Sequence, residues 1–415
     1  MPEKLVVIGA GAAGVFCAVN AARLNPSLEV VILEKSSKLL AKVKVSGGGR
    51  CNITHACNSI PEMVSRYPRG AAFLKKAFRH FFTSDTVTWF EQRGVKLKTE
   101  TDGRMFPVTD NAQTVIDCLL KEAEKWNVNI VKHAVVTSVE RDVNRWHVQT
   151  TTGTFLSDYV CVASGGLSGL PWISCLQALG HHIEKPVPSL FTFNIPGNNI
   201  SELMGISCPH VAVKITGTKW QQEGAMLITH WGLSGPAILR LSAWAAKELA
   251  LKNYEFSIVV NWMPQFNETS LLSRMQELRF SLASQKIINR NPFALPARLW
   301  EYFLKNAEIK EDTRWADMPA KSQNRLVKLL CSQELAVKGK TTFKEEFVTA
   351  GGISLQEIDA DTMQSKLIPG LFFAGEVIDV DGITGGYNFQ NAWTTGWIAA
   401  NGIVQCSGLR NTAKE

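Results

Sequence analysis

The sequence predicts an α/β protein: a doubly wound parallel sheet interrupted by one long insertion. Three observations predict it. The chain opens with a strand, a glycine turn, a helix and a second strand. It closes, from Phe347 onward, on the same strand, turn and helix pattern. Between residue 189 and about residue 346 the pattern changes to short alternating strands and then to charged helical segments. At 415 residues, 45% of them hydrophobic, the chain is too long for one ordinary core, so two or three domains are expected.

In order, Leu5–Ile8 is a β-branched run, Ala12–Leu24 is small and apolar at helical spacing, and Glu29–Leu33 is a second strand. Phe73–Arg93 has helical periodicity broken near Thr83, where Ser84 and Asp85 suit a new helix start. Short strands follow at Asn129–Val131 and Val135–Glu140. A hairpin is expected around Gly153, and Tyr159–Ala163 reads as a buried strand. The resulting division is 1–188 and 347–415 for the two parts of the nucleotide-binding domain. The insertion divides into 189–267 for a β part, 268–335 for a helical part and 336–346 for a return strand of the β part.

Nine scattered cysteines with no C-x-x-C pair argue against a disulfide frame or a structural zinc site, and fit a reducing compartment. No run of about 18 apolar residues exists, so no membrane span is expected. The opening apolar stretch belongs to a glycine motif and lacks a signal-peptide cleavage site; the reading is cytoplasmic. The net charge of +7 is uneven: residues 35–98 hold thirteen Lys/Arg against three Asp/Glu. Such a field attracts anions, either a nucleotide's pyrophosphate or an RNA backbone.

Four motifs carry chemistry. In the first, Gly9-Ala10-Gly11-Ala12-Ala13-Gly14 follows a strand and opens a helix. The glycines permit a tight turn, close backbone approach to a pyrophosphate and helix–sheet packing. Glu34, 20 residues past Gly14 and beside Lys35, stands where a carboxylate grips ribose hydroxyls. The second is Ser46-Gly47-Gly48-Gly49-Arg50-Cys51-Asn52, where three glycines allow very close approach by a ligand and Arg50 can pair with phosphate. The third is Ala163-Ser164-Gly165-Gly166 at a strand end facing the ligand crevice. In the fourth, Gly375-Glu376 closes a strand, and Gly385-Gly386-Tyr387-Asn388-Phe389 opens a helix. A carboxylate for the ribityl chain and a helix N-terminus for a reduced flavin point to FAD rather than to a nicotinamide alone. No second G-x-G-x-x-G supports a separate NAD domain.

These stretches, with GRMFPVTDNAQTV, THWGLSGPAIL, TAGGISLQEI and GLFFAGEVIDVDGITGGYNFQNAW, resemble the HI0933-like flavoprotein family from about residue 4 to residue 402. The resemblance implies FAD on a split Rossmann domain, an inserted β-barrel-like domain and a helical subdomain. It places Glu34 at the adenosine ribose and Val136 in the strand whose backbone meets adenine. It also places Glu376 at the ribityl chain and Gly386–Phe389 at the flavin ring. One departure is ASGG for the usual ATGG, which keeps the hydroxyl.

The substrate stays open. His230 before Trp231 is a candidate to protonate or orient it, and Arg104 a candidate to hold an anion or carbonyl. Cys51 reads either as a redox thiol or as a packing residue. The first function expected is NAD(P)H-driven reduction of an activated C=C bond in a small-molecule enone or pyrimidine. Its RNA form, uridine reduction in ribosomal RNA, rests on the basic segment, with Trp231 and Phe106 as bases' stacking partners. A small-amine oxidase and a non-catalytic FAD-bearing protein are the alternatives.

Overall fold

A computed structural model describes residues 2–143, 145–167, 169, 171–341 and 348–412. The chain divides into two compact units, residues 1–188 with 343–415, and residues 189–342.

The larger unit is built on five parallel strands: β1 (Lys4–Ile8), β2 (Glu29–Leu33), β3 (Asn129–Val131), β4 (Tyr159–Val162) and β5 (Leu371–Phe373). Their spatial order is β5-β4-β1-β2-β3. Their register sets the site. Ile8 lies opposite both Leu33 and Val162, Val162 opposite Phe373, and Leu33 opposite Val131. The residues that follow, Gly9, Glu34, Ala163 and Ala374, therefore leave the sheet together at its carboxyl edge. In an open parallel sheet, that edge is where ligands bind.

Helices α1 (Ala12–Leu24), α2 (Ala41–Gly49), α3 (Thr83–Glu91), α4 (Ala112–Lys125) and α5 (Tyr387–Thr412) surround this sheet. α1 buries ten of its thirteen residues, as a mostly small and apolar helix at the centre of a domain must. α5 continues to Thr412. Gly396 and Gly402 are contact points. A Cβ at Gly396 would stand 2.8 Å from the Ala13 carbonyl oxygen, and one at Gly402 would stand 2.4 Å from the Thr362 carbonyl oxygen.

Two small antiparallel sheets complete this unit. One pairs Thr54–His55, Arg104–Pro107 and Leu97–Thr99. The other is Val136–Arg141, Trp146–Thr150 and Gly153–Ser157, with the hairpin at Gly153 where the glycine predicts it.

The smaller unit is a seven-stranded antiparallel sheet. Its two outermost strands, Gln333–Lys338 and Lys340–Thr341, are separated in sequence by Gly339 alone. One residue can join the two edges only if the sheet curls round on itself, which makes the wall barrel-like. Helices Glu268–Ser281, Ala297–Asn306 and Ala320–Ser332 bury Met275, Trp300, Phe303 and Leu330 in one core with Val213 and Ile258 of the sheet. Residues 342–346 of the expected return strand, and Phe347, lie outside the described residues. Among the described residues, no helix is long and apolar enough to cross a membrane.

Candidate functional site

The first strand end forms a turn that only glycine allows. Gly9 has φ +110°, and a Cβ there would lie 2.5 Å from the Ala163 carbonyl oxygen. A Cβ at Gly14 would lie 2.0 Å from the Gly9 carbonyl oxygen. Both glycines are demanded by the fold itself. Gly11 is different: its φ is −85°, ordinary for any residue, and nothing stands within 4 Å of the Cβ it lacks. It is the N-cap of α1, with no side-chain cap and no acidic residue in the first turn. The chain leaves an open, electropositive helix end whose glycine is explained by a ligand rather than by packing. Glu34 stands beside it, with Oε2 accepting from Ala10 N at 3.0 Å and Oε1 accepting from Ser36 N at 2.9 Å.

The triple-glycine loop ends α2. Gly47, Gly48 and Gly49 all have positive φ (58°, 69° and 84°), a run that L-residues with side chains resist. Gly47 is also packed, since a Cβ there would meet Phe106 Cε1 at 2.8 Å, whereas Gly48 faces open space. This loop is tied to the start of α5, more than 300 residues away. With its amide oxygen turned toward Gly386, Asn52 accepts from Gly386 N at 2.9 Å and donates to Thr54 O. Thr54 Oγ1 donates to Gln390 Oε1 at 2.6 Å, and Trp393 Nε1 donates to Ile53 O at 2.9 Å. Asn388 closes the turn before α5, its amide accepting from Gly382 N and donating to Gly382 O, both at 2.8 Å. Tyr387 is buried and Phe389 stacks on Trp393 at 5.8 Å.

Glu376 closes the cradle. Its Oε1 accepts from Thr349 N at 2.7 Å, and its Oε2 lies 2.5 Å from Lys42 Nζ. A Cβ at Gly166 would stand 3.3 Å from that carboxylate. Ser164 Oγ, next to it, is buried with no hydrogen-bond partner. An orphaned hydroxyl, an uncapped helix end and glycines facing open space fit FAD. Gly11 and α1 would take its pyrophosphate, Glu34 the ribose, Glu376 the ribityl chain, and the residues from Gly385 to Phe389 the ring.

Several residues singled out by sequence stand elsewhere than in free contact with a ligand. Arg50 is not a free phosphate partner: Nη1 donates to Glu100 Oε1 at 2.6 Å, and the guanidinium lies 4.1 Å over the Phe106 ring. Arg104 shares Glu100, at 3.0 Å, and donates from Nε to Asp102 at 2.7 Å. The hairpin pairing of Thr99 with Met105 brings these charges together, so the local carboxylates neutralise both arginines. Cys51 is fully buried, and burial pushes its thiol up to about 12, which removes it as a thiolate at neutral pH. Val136 is buried on the strand beside Glu34, whose carbonyl accepts from Ala134 N at 2.9 Å. Ala13 packs against Gly375. Lys35 is exposed. His230 belongs to the smaller unit, on the turn between Gln221–Thr229 and Gly232–Ser234, with its ring 4.4 Å from that of half-exposed Trp231.

Sequence reasoning missed Lys42 and His55. Lys42 sits one helical turn ahead of Ser46, a signal visible only once α2 is known to run into the glycine loop. His55 follows the Cys-Asn-Ile-Thr stretch. Its Nδ1 is 3.1 Å from Gly385 O and its ring stacks on Tyr387 at 4.9 Å. Burial lowers its pKa, partly offset by the Gly385 carbonyl.

The HI0933-like protein Rossmann domain family matches residues 3–402. A ribosomal RNA dihydrouridine synthase of Escherichia coli (strain K12) is 30% identical over 410 residues, covering 96% of this chain and 97% of that protein. A 3-dehydro-bile acid delta(4,6)-reductase of Clostridium scindens is 25% identical over 420 residues, covering 97% and 99%. Among solved structures, a 3-ketosteroid delta1-dehydrogenase from Sterolibacterium denitrificans shares the fold. It has TM-score 0.51 and 13% identity, and the match covers 97% of this chain and 100% of that one.

Proposed function

The chain belongs to the HI0933-like family and is an FAD-dependent oxidoreductase, and from that premise we propose that it reduces a uridine in ribosomal RNA to dihydrouridine. A reduced nicotinamide is the proposed donor. Bound FAD supplies the two-electron chemistry, passing a hydride to an electron-poor carbon. The acceptor is the C5=C6 bond conjugated to the C4 carbonyl: hydride adds at C6, a proton at C5, and the product gains two hydrogens. A steroid enone is the same acceptor class, which accounts for a bile-acid reductase among the relatives.

One structural observation favours the RNA over a small enone. Of the thirteen cations in residues 35–98, seven are exposed and enter no ion pair among the described residues: Lys35, Lys38, Lys44, Lys75, Lys76, Arg79 and Lys96. Unpaired cations supply the sequence-independent part of nucleic-acid affinity. A neutral steroid offers them no partner, and a bile acid offers a single carboxylate. His230 is our candidate for the proton, and Arg104, once a substrate carbonyl takes the place of Asp102, for the carbonyl. Replacing each with Gln or Leu should lower turnover while leaving FAD bound.

The test is direct. The FAD-loaded protein is mixed anaerobically with NADH or NADPH, then with unmodified ribosomal RNA and, separately, a 4-ene-3-keto steroid. Flavin bleaching by a nicotinamide, followed by dihydrouridine in the digested RNA by mass spectrometry, supports the proposal. Reduction of the steroid with the RNA unchanged overturns it in favour of an enone reductase.

A further inference from the structure

Outside the cradle, the larger unit holds a cavity of about 470 Å³ lined by Gln92 and Arg93 after α3 and by Cys118, Lys121, Glu122 and Lys125 of α4. Its charge is out of balance. Arg93 Nε lies 2.9 Å from Glu122 Oε2, and Lys125 Nζ 3.8 Å from Glu122 Oε1. The Trp126 indole N–H also donates to Glu122, at 3.4 Å. Lys121 is exposed and enters no ion pair. Arg23, in the last turn of α1, adds a fourth cation: burial and the Arg93 charge pull its pKa down, with Glu122 opposing. Glu122 is the one carboxylate paired with any of these four among the described residues.

The arginines are held rigidly but not saturated. Arg93 stacks 3.9 Å over the Trp89 ring and donates from Nη1 to the Trp89 carbonyl oxygen at 2.9 Å. The buried Nε atoms of Arg23 and Arg93 make no directed hydrogen bond. A guanidinium fixed on an aromatic face is preorganised to present its outer N–H groups to two oxygens of a phosphate. Lys121 and Lys125 stand one helical turn apart at the rim, and Lys96, three residues beyond Arg93, is exposed and unpaired.

We propose that this cleft is a second anion site that takes backbone phosphates of the RNA, away from the residues that cradle the cofactor. The inference rests on the proposed function for the identity of its ligand. A single inorganic ion would leave most of so open a cavity unfilled. A row of cations along one helix edge suits successive phosphates of a strand.

The test compares the full-length FAD-loaded protein with Lys121→Glu/Lys125→Glu and with a charge-matched control, Lys321→Glu/Lys328→Glu, on the exposed face of Ala320–Ser332 in the smaller unit. All four lysines are exposed, so both doubles should fold. Binding of a ribosomal RNA fragment is followed by fluorescence anisotropy across a salt series, and dihydrouridine formation is scored in parallel. The cleft double should weaken binding at low salt about tenfold or more. Its log–log salt slope should flatten by about 1.4, the loss of two contacts to a single strand. The control should do neither. Equal losses in both doubles, or none in the cleft double, overturn the proposal. If wild type makes dihydrouridine while the cleft double binds RNA normally, the cleft proposal falls alone. If the cleft double loses RNA binding while wild type makes no dihydrouridine, the functional reading falls alone.

Discussion

Lys42 Nζ and Glu376 Oε2 lie 2.5 Å apart although 334 positions separate them. The pair closes the cradle: one residue comes from the helix that enters the triple-glycine loop, the other from the end of the last parallel strand. Lys42 holds in place the Glu376 carboxylate expected at the ribityl chain. Lys42→Met should therefore weaken FAD binding. For a half-exposed charge the effect is about 1 kcal/mol, or roughly fivefold in Kd, measured by flavin fluorescence titration of the apoprotein.

Gly11→Ala separates a ligand's demand from the fold's. The position has ordinary φ and open space; the unfolded-state entropy that Ala removes is opposed by its poorer N-cap propensity, so the apoprotein's stability should change by no more than about 1 kcal/mol. FAD affinity should nevertheless fall tenfold or more, about 1.4 kcal/mol. Calorimetry of the apoprotein beside an FAD titration checks both halves. A variant that unfolds without FAD present would show that the glycine is structural.

Cys51→Ala should retain turnover, because a thiol at about 12 holds no useful thiolate at neutral pH. Iodoacetamide at pH 8 should leave Cys51 unlabelled in the folded protein, read by peptide mass spectrometry. Labelling at Cys51 in the native state would restore it as a redox candidate.

Arg69 forms a bidentate ion pair with Asp381, and the Asp381 side chain is entirely buried. Arg69→Met removes this ion pair from a buried carboxylate and should cost about 3–5 kcal/mol in urea unfolding. The double variant Arg69→Met/Asp381→Leu should recover much of the loss, since the buried charge is removed together with its cation.

Stability should fall in mild acid, in part through His181. The ring is buried, its Nδ1 3.0 Å from Glu357 and its Nε2 3.1 Å from Ser365 Oγ. Desolvation lowers its pKa from 6.5, against the pull of Glu357. Between the lowered folded value and 6.5 the unfolded chain binds the proton and the folded chain does not. This contribution is complete above 6.5 and is lost as pH falls below it. Urea midpoints at pH 7.5 and 5 should differ less in His181→Gln than in wild type.

The residues themselves determined the parallel sheet, the glycine turns, Glu34 and Glu376, and through them the cofactor. These are local facts: a strand, a turn of fixed glycine spacing and a helix start lie within a few residues, and their conformational requirements are written there. The tertiary structure alone decided what distant side chains do to one another. It gave Arg50 to Glu100 rather than to a phosphate, joined Asn52 to Gly386, and packed Gly396 and Gly402 of α5 against the carbonyls of Ala13 and Thr362. It also gathered Arg23, Arg93, Lys121 and Lys125 around Glu122. Periodicity and composition do not record such pairings, because each depends on strand register and helix packing between segments far apart along the chain.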